Sequence, residues 1–568
     1  MPSSSLQRTT IENRIAQRVE SLKKGYRQNL GILGPEGLGK TGLLAGLYRQ
    51  LGRDKDILPV YVHCAALDFS DLTDRWITAV LAAVLPAPAD LRDPVSAQLA
   101  VLEARLPRTV EHIRTLRKMV RRGEKNTAAA REVLGLTSLL ADETRKKVVL
   151  ILDEFHALGE GLPVHDPFGL LGHQIMVEKN TLYLVASSRP ALAMEIFRNQ
   201  LSLLFSNFET MQVSPLDAME IARFLEARQP GLLFTEAQKK FMIRMSSGVP
   251  LYLDLLLEHM PEAAAAIPAD NPHEALALPL ADETLLNAVE KEIFDDHGRI
   301  AQIFQRRLER ALGSVKDGAI FYHTLMAVSE GARKVPAIAA HTGRKAAECK
   351  KTLQRLVQEE LLAKSSDFYF MEDALFSFWM REVFSVQKRQ AVPFADEREN
   401  FRLSLARHLE RSDFEGPETV LACIETLLMS FRNESLQLGH KKIRLPHFNE
   451  VTIRPAGDRG RSFTASGSAV QWQGRVAFDL LHEEDVQLLA EETRETRKAR
   501  KISRLRLMIA LGGIDQNAKL MAQEAGIHLW LLEDLNRLFL LYNLPRLIGM
   551  RKFDGSTLGA LAQSLHQA

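Results

Sequence analysis

Residues Gly34-Pro35-Glu36-Gly37-Leu38-Gly39-Lys40-Thr41 set glycines, a lysine and a hydroxyl at the spacing GxxxxGK[ST]. Glycines let backbone N–H groups turn inward around phosphate oxygens, and a helix starting at the loop's end adds partial positive charge. At this spacing Lys40 is expected to reach the β- and γ-phosphates of a nucleoside triphosphate, and the Thr41 hydroxyl to ligate Mg²⁺. The pattern has meaning only between a strand and a helix. Asn29–Leu33 reads as the short buried strand, and Gly42-Leu43-Leu44-Ala45-Gly46-Leu47 continues as the helix. Gly34 through Gly42 therefore form the expected cofactor-binding loop.

A second group completes the chemistry. Lys147-Val148-Val149-Leu150-Ile151-Leu152 is a charge-bounded apolar run, as suits a central parallel strand, and it ends in Asp153-Glu154. Open α/β sheets bind ligands at the carboxyl ends of their strands. Asp153 fits the Mg²⁺-coordinating carboxylate and Glu154 the base that polarises the attacking water. A third strand, Leu182–Ala186, ends in Ser187-Ser188-Arg189-Pro190, and Arg189 suits a γ-phosphate sensor because a planar guanidinium makes multidentate contacts. Strands near 57–63 and 210–213 would complete a five-stranded parallel sheet.

With these motifs the chain resembles the archaeal-type ATPases, a branch of the AAA+/STAND P-loop ATPases, over about residues 10–385. Glu12-Asn13-Arg14 resembles that family's arginine-containing box near the adenine. Val213-Ser214-Pro215-Leu216 opens the helix after the fifth strand. Ser246-Ser247-Gly248-Val249-Pro250-Leu251 resembles its Gly-x-Pro lid element, which implies that Pro250 lies near the nucleotide. The resemblance implies ATP and Mg²⁺ as cofactors. It also implies a setting in mobile-element biology or defence against it. A long helical stretch from about 65 to 146, with a basic run at 114–122, departs from a minimal member. That run is either a solvated helix face or a partner contact. No residue stands out as an arginine finger in trans, although Arg198 lies in a suitable region.

Residues 319–385 read as three helices and a β-wing. Arg344–Glu359 is the candidate recognition helix, with Ala347, Leu353, Leu356 and Val357 inward. Lys350, Lys351 and Arg355 are its candidate DNA contacts. A packing or regulatory role is the other reading.

The C-terminal third resembles the PD-(D/E)xK restriction-endonuclease fold. Asp479 stands where that family has its Asp, and Glu491, on an expected strand 486–494, where it has its Glu. Thr493 replaces the lysine, so the resemblance implies a degenerate nuclease that binds DNA without cutting efficiently. A basic helix is expected from about Arg497 to Leu511, its cations set against a DNA backbone.

The resulting fold class is α/β. A P-loop core (1–215) precedes a helical lid (216–315), a winged helix (316–390) and a nuclease-like α/β domain (391–568). At 568 residues the chain exceeds one hydrophobic core, and 46% hydrophobic with 25% charged residues is ordinary for a soluble protein. No run suggests a membrane span, and Met1–Ser5 does not open a secretion signal, so a cytoplasmic protein is expected. Cys64, Cys349 and Cys423 are too scattered for a disulfide framework or a zinc site. A net charge of +2 leaves any nucleic-acid argument to local clusters. The expected activity is an ATP-hydrolysing switch acting on DNA, with a protein partner or a second copy as further possible partners. Two alternatives stay open: an ATP-gated, metal-dependent nuclease, and a STAND signalling ATPase that senses a protein.

Overall fold

Apolar runs too short for helices and bounded by charge or turns become the strands of one parallel sheet. A computed structural model describes residues 9–85, 94–202, 207–260, 278–313, 318–386, 394–412, 416–438, 441–455, 460–492 and 503–548. In it, β1 (Asn29–Leu33), β2 (Ile57–His63), β3 (Lys147–Asp153), β4 (Thr181–Ser187) and β5 (Phe208–Gln212) lie in the order β2-β3-β4-β1-β5. All neighbours are parallel, with His63 level with Asp153 and Leu33 level with Ser187. That register brings the chemically equipped strand ends to one edge. β1, β3 and β4 are buried almost throughout, as strands covered on both faces must be.

The chain divides into two compact units, the first formed by Met1–Leu216 with Val249–Tyr252. In this unit, α1 (Thr9–Lys23) turns Ile15, Val19 and Leu22 inward, and α2 (Lys40–Leu51) follows β1. The stretch between β2 and β3 is helical, as expected: α3 (Phe69–Val84), α4 (Val95–Leu102), α5 (Pro107–Arg121) and α6 (Thr127–Thr144). Side chains of Asp68 and Asn126 cap α3 and α6 by accepting from backbone N–H groups of the first turn. α5 buries Val110, Ile113 and Leu116, while Arg114 pairs with Glu103 at 2.6 Å, so its basic run is a largely solvated face. Trp76 is wholly buried in this core. The short α7 (Leu158–Gly161), then α8 (Pro167–Val177) and α9 (Pro190–Glu195), complete the set.

The second unit contains Asp217–Gly248 and the chain from Leu253 onward. α10 (Ala218–Arg228) and α11 (Glu236–Ser246) begin with capping boxes built on Asp217 and Thr235. β6 (Leu232–Leu233) pairs with β7 (Leu278–Pro279), and α13 (Asp282–Ile293) and α14 (Arg299–Leu312) follow the part of α12 (Pro250–Leu257) from Leu253 onward. Next, α15 (Gly318–Ser329), α16 (Val335–Thr342) and α17 (Ala346–Gln358) pack pairwise, and β8 (Ala363–Ser365) and β9 (Phe368–Phe370) form an antiparallel hairpin. The inner face of α17 is Cys349, Leu353 and Leu356. Ala347 is exposed, a correction to its expected place: it sits in the first turn, before the buried stripe begins.

Beyond the helices Phe394–Ser412 and Pro417–Met429, β10 (Glu434–Leu438) pairs with β11 (Lys441–Leu445). β12 (Glu450–Pro455), β13 (Gly460–Ser466), β14 (Val470–Ala477), β15 (Ser503–Ala510) and β16 (His528–Leu531) form a mixed sheet. β12-β13-β14 are antiparallel, while β14-β15-β16 are parallel. Two expectations are corrected here. Residues 483–492 are a helix rather than a strand: Val486 and Leu489 are buried at a spacing of three while Leu488 is exposed. Its acidic start, Glu483-Glu484-Asp485, complements the positive end of the helix dipole. The expected basic helix is instead the strand β15, because Arg504-Leu505-Arg506-Leu507 alternates with period two. Arg497 to Lys501 lie outside the described residues.

Candidate functional site

The loop after β1 turns on Gly37 (φ 85°) and Gly39 (φ 83°), both in the left-handed region that glycine adopts without penalty. Space is also limited: a Cβ at Gly37 would lie 2.9 Å from Val249 Cγ1, and one at Gly34 the same distance from the Val213 carbonyl oxygen. The Leu251 N–H donates to the Gly37 carbonyl at 3.2 Å, so the residues flanking Pro250 brace the loop from within the same unit.

Lys40 is only 5% exposed. Its ammonium donates to the carbonyls of Gly34 (2.7 Å) and Pro35 (2.8 Å). The buried ammonium is thus satisfied by loop carbonyls, weaker acceptors than anionic oxygens.

Asp153, fully buried at the end of β3, is the hub of the site. Its Oδ2 accepts from Thr41 Oγ1 at 2.9 Å and from the Tyr61 hydroxyl at 2.7 Å, with His63 Nδ1 at 3.8 Å. Burial first, and then the Asp153 charge, push the Tyr61 hydroxyl far above the usual phenol range, so it remains a proton donor. Thr41 and Asp153, separated by 112 positions in sequence, are thereby brought together as a hydroxyl–carboxylate pair, ligand types that suit a hydrated divalent cation.

Glu154 has the left-handed backbone φ 55°, ψ 44°, which costs a non-glycine residue roughly 1–2 kcal/mol. The turn aims its carboxylate across to the end of β4. There its Oε2 accepts from the Ser188 N–H (2.9 Å) and the Ser188 hydroxyl (2.8 Å), with His156 Nδ1 at 3.4 Å. The Arg189 N–H donates to Ser187 Oγ at 3.0 Å, which fixes the backbone at the start of α9, and Arg189 is half-buried.

Tyr61, His156 and Ser188 were not singled out from the sequence. Tyr61 is opposite Ile151 and so lies diagonally from Asp153, within reach of an aromatic side chain. That relation exists only once the β2–β3 register is known. Ser188 adjoins Arg189, and nothing in its local sequence marks it as the partner of Glu154.

Other expected sites fall elsewhere. Arg14 joins Arg18 on Glu209 of β5, at 2.5 and 2.6 Å, tying α1 to the sheet edge. Partial burial opposes the charged form of Glu209, but the two guanidiniums outweigh it and hold this carboxyl below its usual range. Arg198 is exposed on the turn Ile196–Gln200. Burial pushes the Cys64 thiol well above its usual range, as befits an inert core residue. On α17, Lys350 and Lys351 are exposed and Arg355 is half-buried.

The expected nuclease set does not form as read. Asp479 is exposed just beyond β14, and Glu491 is exposed in the last turn of the helix Glu483–Glu492. A helix spaces side chains by 100° rather than alternating them, so the strand-based Glu-x-Lys geometry is lost. Thr493 lies outside the described residues. Among the described residues no group of three or more His, Cys, Asp or Glu side chains is arranged to hold a metal, and no helix is long and apolar enough to cross a membrane.

No protein-family model and no curated protein matches this sequence. Among solved structures, the chain is similar to a Walker-type ATPase of Pyrococcus abyssi at 13% identity, with 65% of this chain and 95% of that one covered and a TM-score of 0.42. It is similar to the Aeropyrum pernix ORC2 protein, solved with ADPNP and ADP, at 13% identity over 69% and 96% of the two chains, TM-score 0.43. The Aeropyrum pernix ORC1 protein in complex with DNA gives 14% identity over 66% and 92%, TM-score 0.34. Likenesses this distant leave the chain's own residues to carry the reading.

Proposed function

We propose that this chain binds ATP with Mg²⁺ and hydrolyses it, as a switch of the AAA+/STAND class that acts on DNA. The observation that carries the nucleotide half is the convergence of Lys40, Thr41 and Asp153 on one glycine-turned loop. Lys40 gives up the Gly34 and Pro35 carbonyls and takes phosphate oxygens. Thr41 and Asp153 would hold Mg²⁺, which neutralises charge on the phosphates. Glu154 orients the attacking water and accepts its proton, once its carboxylate is shared with or released from Ser188. Arg189 responds to the γ-phosphate from the neighbouring strand end.

Tyr61→Phe gives an early check. It leaves the buried Asp153 carboxylate short of one donor, a cost of about 1–3 kcal/mol. The melting midpoint without nucleotide is expected to fall by a few degrees, and Mg²⁺-ATP to stabilise the variant more than the wild type, because the cation relieves the same carboxylate. An unchanged midpoint, or no stabilisation of the wild type by Mg²⁺-ATP, would count against the site.

The DNA half rests on the three-helix and hairpin arrangement, read as a winged helix. Lys350 and Lys351 stand on the exposed face of α17, with Arg355 one turn beyond Lys351. Replacing all three by Gln should weaken DNA binding at every sequence and lower the slope of log affinity against log salt by about one per lost phosphate contact. Wild-type protein that binds no DNA at low salt with ATP present favours the protein-sensing alternative.

A further inference from the structure

The mixed sheet β12–β16 has two unlike faces. On one, Phe463, Trp472, Val476, Leu507, Ile509 and Trp530 join the large apolar core. On the other, Ala477, Met508 and Ala510 lie in a smaller cluster with residues of the helices Glu483–Glu492 and Gln516–Glu524. That second face then turns polar along the same strands. β14 carries Gln471, Gln473 and Arg475 on it, β15 carries Arg504 and Arg506, and Arg454 lies toward the β12 edge.

The register makes this a continuous surface. Gln471 is level with Arg504, Gln473 with Arg506, Ser462 with Arg475, and Arg454 with Ser462. Parallel strands are ordinarily covered by apolar packing on both sides, so this polar half on the parallel pair β14–β15 calls for another explanation. Arg475 is only 8% exposed, and Arg504 Nε is buried with no acceptor among the described residues. The Arg506 guanidinium is aimed by a bond to the Ala525 carbonyl. In the described rows of this face the one carboxylate is Glu450, at the β12 edge.

We infer that this half-face is a binding surface for the phosphodiester backbone of DNA, a contact separate from α17. The inference rests on the reading that the chain acts on DNA. Guanidinium forks match phosphate oxygens bidentately, and neutral Gln, Ser and Thr side chains add further donors to the backbone. Arg504 and Arg506 lie two residues apart on one strand, about 6.6 Å at 3.3 Å per residue. Exposed Arg454 continues the cations toward the β12 edge, with buried Arg475 beneath, so the surface suits a repeated anion better than a single phosphate. With cations and amides along its strands and one carboxylate at the β12 edge, the half-face favours backbone binding.

The test uses the full chain and a labelled 30-base-pair duplex, with affinity measured across a salt series. Arg454→Gln with Arg504→Gln should weaken binding about tenfold or more near 0.1 M salt and lower the salt slope by about two. Arg504→Lys should restore most of the slope, because the charge returns without the fork. Arg461→Gln, whose side chain pairs with Glu418 at 3.6 Å from the opposite face, should leave the slope unchanged. A double variant with the wild-type slope overturns the inference while leaving α17 standing. A loss of affinity that is the same at every salt concentration and is accompanied by a lower melting midpoint also overturns it, since the arginines are then structural. Wild-type chain that binds no duplex at low salt removes the DNA reading itself, a separate failure.

Discussion

Lys40→Ala is expected to weaken ATP binding by about 10- to 100-fold, with the fold retained. The wild-type ammonium is buried and held by two loop carbonyls, so its bonds to phosphate oxygens form without a search through rotamers. Hydrogen bonds to charged groups contribute about 1.5–3 kcal/mol each, and about 1.4 kcal/mol is one decade of affinity. The alanine also leaves the Gly34 and Pro35 carbonyls to water, so the loop loosens and the deficit falls on binding rather than on turnover by bound nucleotide. Calorimetric titration with a non-hydrolysable ATP analogue measures the change. A variant that binds the analogue as tightly as the wild type would remove the loop from the nucleotide site.

Glu154→Gln is expected to give the opposite pattern. Turnover should fall by about two to four orders of magnitude, the usual contribution of a positioned base, while ATP affinity stays within a few-fold. The distinction follows from geometry. Glu154 is tethered to the end of β4 through Ser188, and the Gln carbonyl can still accept those two bonds, so the turn holds while the proton acceptor is lost. Asp153, with its Thr41 and Tyr61 bonds, is untouched, so the cation site survives. Phosphate release at saturating ATP gives kcat, and the analogue titration gives affinity. Wild-type turnover in this variant would reassign the base.

The glycine-turned loop is legible in the sequence because its geometry is local. Gly34–Thr41 must turn between a strand and a helix, and each residue's role follows from the next few. The apolar runs ending at Leu33, Asp153 and Ser187 likewise disclosed a parallel sheet, since only strands covered on both faces are apolar throughout. Tyr61 and Ser188 escaped notice because their importance is a matter of register between strands far apart in sequence. The C-terminal third misled for a different reason. Val486-Gln487-Leu488-Leu489 fits a strand or a helix over so short a window, and the buried pair Val486 and Leu489 decides for the helix only when the sheet beside it is known. The error carried Glu491 with it, because a catalytic spacing assumed on a strand has no meaning on a helix. The alternation Arg504-Leu505-Arg506-Leu507 points to a strand, but the density of basic residues from Arg497 onward suggests a helix set against a DNA backbone.

The most direct test is phosphate release by the purified chain with ATP, measured with Mg²⁺ and again after chelation. Release that saturates with ATP, requires the divalent cation and disappears in Glu154→Gln is the expected result. A wild-type chain that is stabilised by neither ATP nor its analogue, and releases no phosphate with Mg²⁺ present, would contradict the assignment of Lys40, Thr41, Asp153 and Glu154 as an ATP-hydrolysing site.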